Sequence, residues 1–121
     1  MSTVPARPLT SLERTVLERI LTVDFDGAEA FRKQVPGLRV IAKCDCGCPT
    51  VMFQTESNAH ERLLGAEGRY APTEPDGPPG EVIIFARNGE LSSVEYVYYD
   101  NRPPAEFPDP DLLDVIATPM S

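Results

Sequence analysis

The sequence predicts an α+β fold: an antiparallel sheet of about four strands, formed by two hairpins, with N-terminal helices and a short C-terminal helix. Two observations lead to this prediction. An amphipathic segment near the N-terminus has helical spacing, and a later pair of β-rich segments flanks an Asn-Gly turn. The 121 residues suit one domain. We expect it to span residues 10–116, between a flexible tail at 1–9 and a second tail at 117–121.

The N-terminal helices are predicted from a cap and from apolar spacing. Thr10 and Glu13 have the spacing of a capping box. The apolar residues that follow recur every three or four positions, which predicts a helix over residues 11–21. A turn rich in aspartate then leads into a shorter helix over 27–34, which a Pro-Gly pair ends.

Two hairpins are predicted from β-rich runs and their turns. The first comprises residues 38–44 and 50–54, with a cysteine-rich segment as its turn. The second surrounds Asn88-Gly89, because a two-residue turn of this kind needs positive φ at both central positions. Its simplest register pairs Phe85 with Ser92 and Ile83 with Val94. One face would then carry Ile83, Phe85, Val94, Tyr96 and Tyr98, and the other Val82, Ile84, Leu91, Val97 and Tyr99.

The remaining segments predict little regular structure. Residues 55–80 contain several glycines and prolines and indicate a long loop with one helical turn at 58–64. Near the C-terminus, Asp109 can cap a short helix with Pro110 at its first position. The residues of this helix expected to point inward are Leu112, Leu113 and Ile116.

The charge balance restricts the classes of partner. Nineteen acidic residues against eleven basic ones give a formal net charge of −8. This argues against nucleic acid and against an anionic membrane surface, since both require clustered Lys and Arg. A basic protein partner is compatible with it. The N-terminus lacks the apolar stretch of a signal peptide, and the longest apolar run, residues 82–86, is too short to span a bilayer. We therefore expect a cytoplasmic protein.

The segment Cys44-Asp45-Cys46-Gly47-Cys48-Pro49 is the strongest candidate for a metal site. Thiolates bind zinc and softer metals, and three of them fall within five residues. His60, the single histidine, is the candidate fourth ligand, with Asp45, a water or a second chain as alternatives. The cysteines could instead be small buried hydrophobes. A redox role through a disulfide is a third reading, which Asp45 would disfavour by raising the pKa of a neighbouring thiol.

Tyrosines late in the second hairpin are the candidate partner-binding residues. Tyr96, Tyr98 and Tyr99 precede Asp100, and tyrosine is enriched at interfaces because its ring buries area while its hydroxyl stays hydrogen-bonded. The alternative is that Tyr96 and Tyr98 are core residues and that Tyr99 lies at an edge.

No set of nucleophile, base and stabilising group can be assembled from the sequence, so an enzyme is not favoured. The leading hypothesis is a non-enzymatic interaction protein that binds a basic partner through its acidic face, the long loop and the tyrosine-bearing strand. A small zinc-binding domain is the second hypothesis, and a thiol-redox protein is the third.

Four segments combine into a pattern: the C-x-C-G-C-P motif at residues 44–49, the strand and Asn-Gly turn at 81–92, the strand at 94–99 and the proline-rich stretch at 103–108. Together they resemble a family of small bacterial proteins of unknown function, over roughly residues 10–116. The late hairpin followed by prolines is also similar to immunity proteins of bacterial toxin systems. That resemblance implies an inhibitor of a protein partner.

Overall fold

The computed structural model describes residues 1–70, 79–99 and 102–117, and within them the chain forms a seven-stranded antiparallel sheet with two α-helices. The strands follow the order β1-β2-β3-β6-β5-β4-β7 across the sheet. The prediction of about four strands with a C-terminal helix is therefore wrong. In chain order the elements are β1 (Ser2–Pro8), α1 (Ser11–Ile20), α2 (Ala28–Gln34), β2 (Arg39–Lys43), β3 (Val51–Phe53), β4 (Arg62–Tyr70), β5 (Gly80–Arg87), β6 (Glu90–Tyr98) and β7 (Asp114–Ala117).

Helix α1 confirms the predicted capping box. The Glu13 backbone N–H donates to Thr10 Oγ1 at 3.1 Å, and the Thr10 N–H donates to the Glu13 carboxylate at 2.9 Å. These bonds satisfy two of the N–H groups at the helix start. The stripe predicted from apolar spacing is the buried side of the helix. Its fully buried members are Val16, Leu17 and Ile20.

Strand β1 occupies the segment that we expected to be a tail. It pairs with β2, with Ser2 opposite Lys43 and Pro8 opposite Arg39. Arg7 also connects the strand to α1, because its guanidinium donates to both carboxylate oxygens of Glu13, at 2.8 and 2.9 Å. Burial alone would raise the pKa of Glu13. The hydrogen bonds from Arg7 and Thr10 outweigh burial and hold that pKa below its ordinary value.

Replacing Glu13 with glutamine should lower the free energy of unfolding at neutral pH by about 1–3 kcal/mol, because a buried charge-assisted pair is lost. The folded pKa of Glu13 is lowered, so its contribution is present above the unfolded pKa and is lost as pH falls through the folded pKa. Urea unfolding at pH 7 and near pH 3 should therefore show a difference between wild type and variant that shrinks in acid. A difference of equal size at both pH values would contradict this account. The exposed pair Arg14–Glu18 offers the control Glu18→Gln, expected to change stability by less than about 0.5 kcal/mol.

The predicted hairpin at Asn88-Gly89 is confirmed, but its register is not. Both turn residues have positive φ, 47° and 83°, and Arg87 pairs with Glu90. A β-bulge then shifts the pairing, because Ala86 lies opposite Leu91 whereas Phe85 lies opposite Ser93. The predicted pairs Phe85–Ser92 and Ile83–Val94 are therefore wrong, and so are the two predicted faces of the hairpin.

The sheet has an inner face against the helices and an outer face on its other side. Paired residues share a face, so Ile84 with Val94 and Val82 with Tyr96 lie together on the inner face. Helix α1 comes close to the sheet at Gly68, where an added Cβ would lie 3.1 Å from a Leu113 methyl and 3.3 Å from Ile20. The inner-face strand residues in this core are Val40, Val51, Phe53, Leu64, Ala66, Val82, Ile84, Ala86, Leu91, Val94 and Tyr96.

Two further predictions fail at β4 and β7. The segment expected to be a loop with a helical turn at 58–64 contains strand β4, which lies between β5 and β7 in the sheet. Residues 71–78 of that predicted loop lie outside the described residues. Near the C-terminus, the Asp109 carboxylate does cap a 3₁₀ turn, Pro110–Leu112. The chain then extends into β7, which leaves Leu112 60% exposed and Leu113 buried. Neither described helix has the length and apolar character needed to cross a lipid bilayer.

Candidate metal centre

The cysteines lie in the turn between β2 and β3, as the sequence predicts. The Cys44 N–H donates to the Thr50 carbonyl at 3.1 Å and closes the turn, while Gly47 adopts a φ of 92° that favours glycine. The base of the turn is attached to the sheet, since the Tyr96 N–H donates to the buried Thr50 hydroxyl at 3.0 Å. The backbone therefore bends back on itself and brings alternate side chains together.

The three cysteine sulfurs form one cluster. The Sγ atoms of Cys44, Cys46 and Cys48 all lie within 4.8 Å of one another, and this group could hold a metal ion. The Cys44 and Cys46 sulfurs are 2.8 Å apart, longer than the roughly 2.0 Å of a disulfide bond, and all three cysteines are free thiols. Cys46 is exposed, Cys44 is half-buried and Cys48 is buried. Metal can therefore reach the cluster from the solvent side through Cys46.

Within the cluster, the thiols of Cys44 and Cys46 have different pKa values. Hydrogen bonds from Cys44 and Cys48 lower the pKa of Cys46 to about 7. The pKa of Cys44 is raised to about 11, chiefly because its thiol donates to Cys46. Cys46 is thus the thiol of this pair that loses its proton more readily, because its neighbours stabilise the thiolate.

Asp45 does not point at the sulfurs. Its carboxylate accepts a hydrogen bond from the Ser2 hydroxyl of β1, and this bond lowers the pKa of Asp45. The ligand atoms of the cluster come from the cysteines and do not include Asp45. The expected effect of Asp45, a raised pKa of a neighbouring thiol, is not seen, because the pKa of Cys46 is lowered and that of Cys44 is raised chiefly by its hydrogen bond to Cys46.

Tyr98 also belongs to this centre, although the sequence predicted it as a partner-binding residue. Its hydroxyl donates to the Cys46 sulfur across 3.9 Å, although the two residues are 52 positions apart. Its ring packs edge-on against Tyr96, whose ring stacks on Phe107 at 6.2 Å between centroids. No local pattern in the sequence could indicate this contact, because it depends on β3 pairing with β6.

His60 is not brought to the cysteines. It lines a separate cavity beside Asn88 and Gly89, at the turn end of the β5–β6 hairpin. The cysteine turn lies near Tyr98, at the other end of β6. Strand β6 has nine residues, and at the ordinary rise of a β-strand it separates its two ends by roughly 25–30 Å. The structure therefore does not bring His60 into the site.

The predicted partner-binding residues do not form one surface. Tyr96 is buried, with 6% of its surface exposed, and belongs to the core. Tyr98 faces the thiols. Tyr99 is 59% exposed and its hydroxyl donates to Glu81 at 3.2 Å. Asp100 lies outside the described residues.

A cleft of about 420 Å³ adjoins the cluster. Cys44 and Cys48 line it together with Arg7, Lys43 and Phe107. The cleft gives solvent molecules a second route to the sulfurs.

Comparisons with protein-family models, with curated proteins and with solved structures returned no match to this chain. The resemblance to a bacterial family and to immunity proteins therefore stays a prediction.

Proposed function

We propose that the protein binds one Zn²⁺ ion through Cys44, Cys46 and Cys48. The observation that carries the proposal is the approach of three sulfurs within 4.8 Å on a single turn. Thiolate sulfur is a preferred zinc ligand, with a Zn–S distance of about 2.3 Å, so three sulfurs at this spacing can share one ion after small side-chain rotations. The pKa of Cys46 is lowered to about 7, which reduces the free-energy cost of losing the proton when this sulfur binds the ion.

The proposed ion would have three protein ligands and one open position. The described residues contribute no histidine or carboxylate to the cluster. Structural zinc sites are almost always closed by four protein ligands, whereas sites with three keep a water or an exchangeable ligand. We infer an exchangeable ion, with the fourth position filled by water or by a small solvent molecule.

The fold should not depend on this ion. The core lies between the inner face and the two helices and does not include Cys44 or Cys46. The apo protein is therefore expected to remain folded in chelator, unlike a domain that zinc holds together.

The test is a titration of the reduced protein with Co²⁺, which replaces zinc and absorbs when thiolates bind it. We expect saturation at one ion per chain, thiolate-to-metal absorption, and displacement by one equivalent of Zn²⁺. A parallel titration with Cu⁺ distinguishes the ion, since a thiolate set also suits that softer metal. Tight Cu⁺ binding without Co²⁺ or Zn²⁺ binding would show that the site is not a zinc site.

A thiol-redox role is a second candidate, favoured by the 2.8 Å approach of Cys44 to the exposed Cys46. The Cys46 thiolate would attack a small-molecule disulfide and release one thiolate. Cys44, after losing its proton, would then attack Cys46 of the mixed disulfide. This step closes a Cys44–Cys46 disulfide and releases the second thiolate, so two thiols are oxidised and one disulfide is reduced.

Alkylation rates test the reactivity of Cys46. We expect Cys46 to react first with iodoacetamide, at a rate that rises with pH through about 7 as the thiolate forms. Cys44 should react more slowly at neutral pH, because its pKa is raised to about 11. Peptide mapping after timed quenching measures both rates. Equal, slow alkylation of all three cysteines in the native protein would exclude the redox role.

A further inference from the structure

The outer face of the sheet carries three rows of paired side chains. Across β4, β5, β6 and β3, Leu63 pairs with Phe85, Phe85 with Ser93, and Ser93 with Met52. The other two rows cross β7, β4, β5 and β6. The second row consists of Ile116, Glu67, Ile83 and Glu95, and the third of Asp114, Arg69, Glu81 and Val97.

Six of the twelve residues in these rows are apolar, and no described helix covers them. The helices pack into the core with the inner-face residues, and the outer-face residues Ile83, Phe85 and Val97 do not belong to that core. Each keeps part of its surface accessible, and Leu63 is 36% exposed. Contiguous apolar surface on a sheet marks an interaction site more often than scattered exposed residues do.

The charges within the rows are mostly negative. Glu67, Glu81, Glu95 and Asp114 face a single arginine, Arg69, in the two rows that contain them. The Arg69 guanidinium is 3.7 Å from Glu67 Oε2, but that oxygen is buried and has no hydrogen-bond partner among the described residues. Burial, and then the neighbouring Glu81, raise the pKa of Glu67. A cation added beside these two carboxylates would relieve their repulsion.

We propose that the outer face docks a protein partner whose surface presents arginine or lysine among apolar side chains. The apolar residues of the rows supply buried area, and the Glu67–Glu81 pair attracts the cation. A second copy of this chain fits poorly, because it would place the same carboxylates against each other on a chain of net charge −8. The exposed Tyr99, bonded to Glu81, lies at the rim of the same face. This surface is independent of the proposed zinc site.

Peptide-display selection tests the surface. Random linear peptides are selected on the full-length wild-type protein, with counter-selection on the empty support. We expect the enriched peptides to combine Arg or Lys with apolar residues. A synthetic copy of one peptide should shift the backbone amide resonances of β4, β5 and β6 in NMR spectra, and its affinity should fall about tenfold or more in Glu81→Arg.

A matched control separates docking from attraction by net charge. Glu29 lies on α2 with its side chain 81% exposed, so Glu29→Arg changes the net charge by the same amount on the helical side. We expect it to weaken the peptide by less than about twofold, as a screened distant charge should. Ile83→Ser should weaken the peptide without changing the net charge. The proposal is overturned by a lack of basic enrichment, by equal effects of Glu29→Arg and Glu81→Arg, or by a solution dimer that protects the outer face.

Discussion

Replacing Cys46 with serine is expected to weaken Zn²⁺ binding on the order of 100-fold or more. Loss of a residue that merely orients a metal ligand costs about 10–100-fold, so loss of one of only three direct ligands should cost at least as much. Cys46 is exposed, so the variant should keep its fold. Competition with a chromophoric chelator, in reducing buffer, measures the affinity.

Two controls make the Cys46 result specific. His60→Ala should leave the zinc affinity unchanged, because His60 lines a cavity at the far end of the β5–β6 hairpin. Tyr98→Phe removes only the hydroxyl that faces Cys46, and we expect a loss well below that of Cys46→Ser. A large loss of zinc affinity in His60→Ala, together with an unchanged zinc affinity in Cys46→Ser, would show that the metal binds elsewhere.

Replacing Ile84 with alanine is expected to lower the free energy of unfolding by about 2–5 kcal/mol. Ile84 is fully buried at the middle of β5, opposite Val94. The substitution removes apolar contacts and leaves a cavity that the sheet cannot close by moving one strand. Such a loss is a large part of the 5–15 kcal/mol that holds an ordinary domain folded. Urea unfolding followed by circular dichroism measures it.

The adjacent residue provides the control. Ile83 has the same side chain on the same strand, but it lies on the outer face and is only partly buried. Ile83→Ala should cost less than about 1.5 kcal/mol, because fewer contacts are lost and water can fill the space. Equal costs for the two substitutions would mean that the outer face is as well covered as the inner one. That result would remove the basis of the proposed docking surface.

Local chemistry explains which elements could be predicted from the sequence. The cap at Thr10 and the Asn88-Gly89 turn are each set by residues a few positions apart, and both form as expected. The strands that the sequence did not predict, β1, β4 and β7, are held by pairing with segments far away in the chain. Strand β1 contains Pro5 and Pro8, which disfavour a central strand but are tolerated at the sheet edge where it lies.

Strand β4 shows how tertiary packing overrides local preference. Its glycines lower its β propensity, so the sequence predicts a loop there. At Gly68, a side chain would make tight contacts with Ile20 of α1 and with Leu113, which those residues would have to shift to relieve. The β5–β6 bulge also lacks a local signal, because no glycine marks the extra residue at Ser92. That one residue nevertheless exchanges the faces of the whole strand.

The candidate site could be predicted in part. Its three cysteines are close in sequence, so their meeting at a turn follows from spacing alone. The positions of His60 and Tyr98 follow from strand order, since a long connection takes His60 to one end of the sheet and β6 brings Tyr98 to the other. Spacing along the chain carries no information about either.

Native mass spectrometry of the reduced protein, incubated with Zn²⁺ and then freed of excess metal, tests the three-cysteine site most directly. The expected result is one zinc ion per chain in the wild type and in His60→Ala, and none retained in a variant with Cys44, Cys46 and Cys48 all replaced by serine. A wild-type chain that retains no zinc, or a triple variant that still retains one, would contradict the assignment of the ion to these three sulfurs.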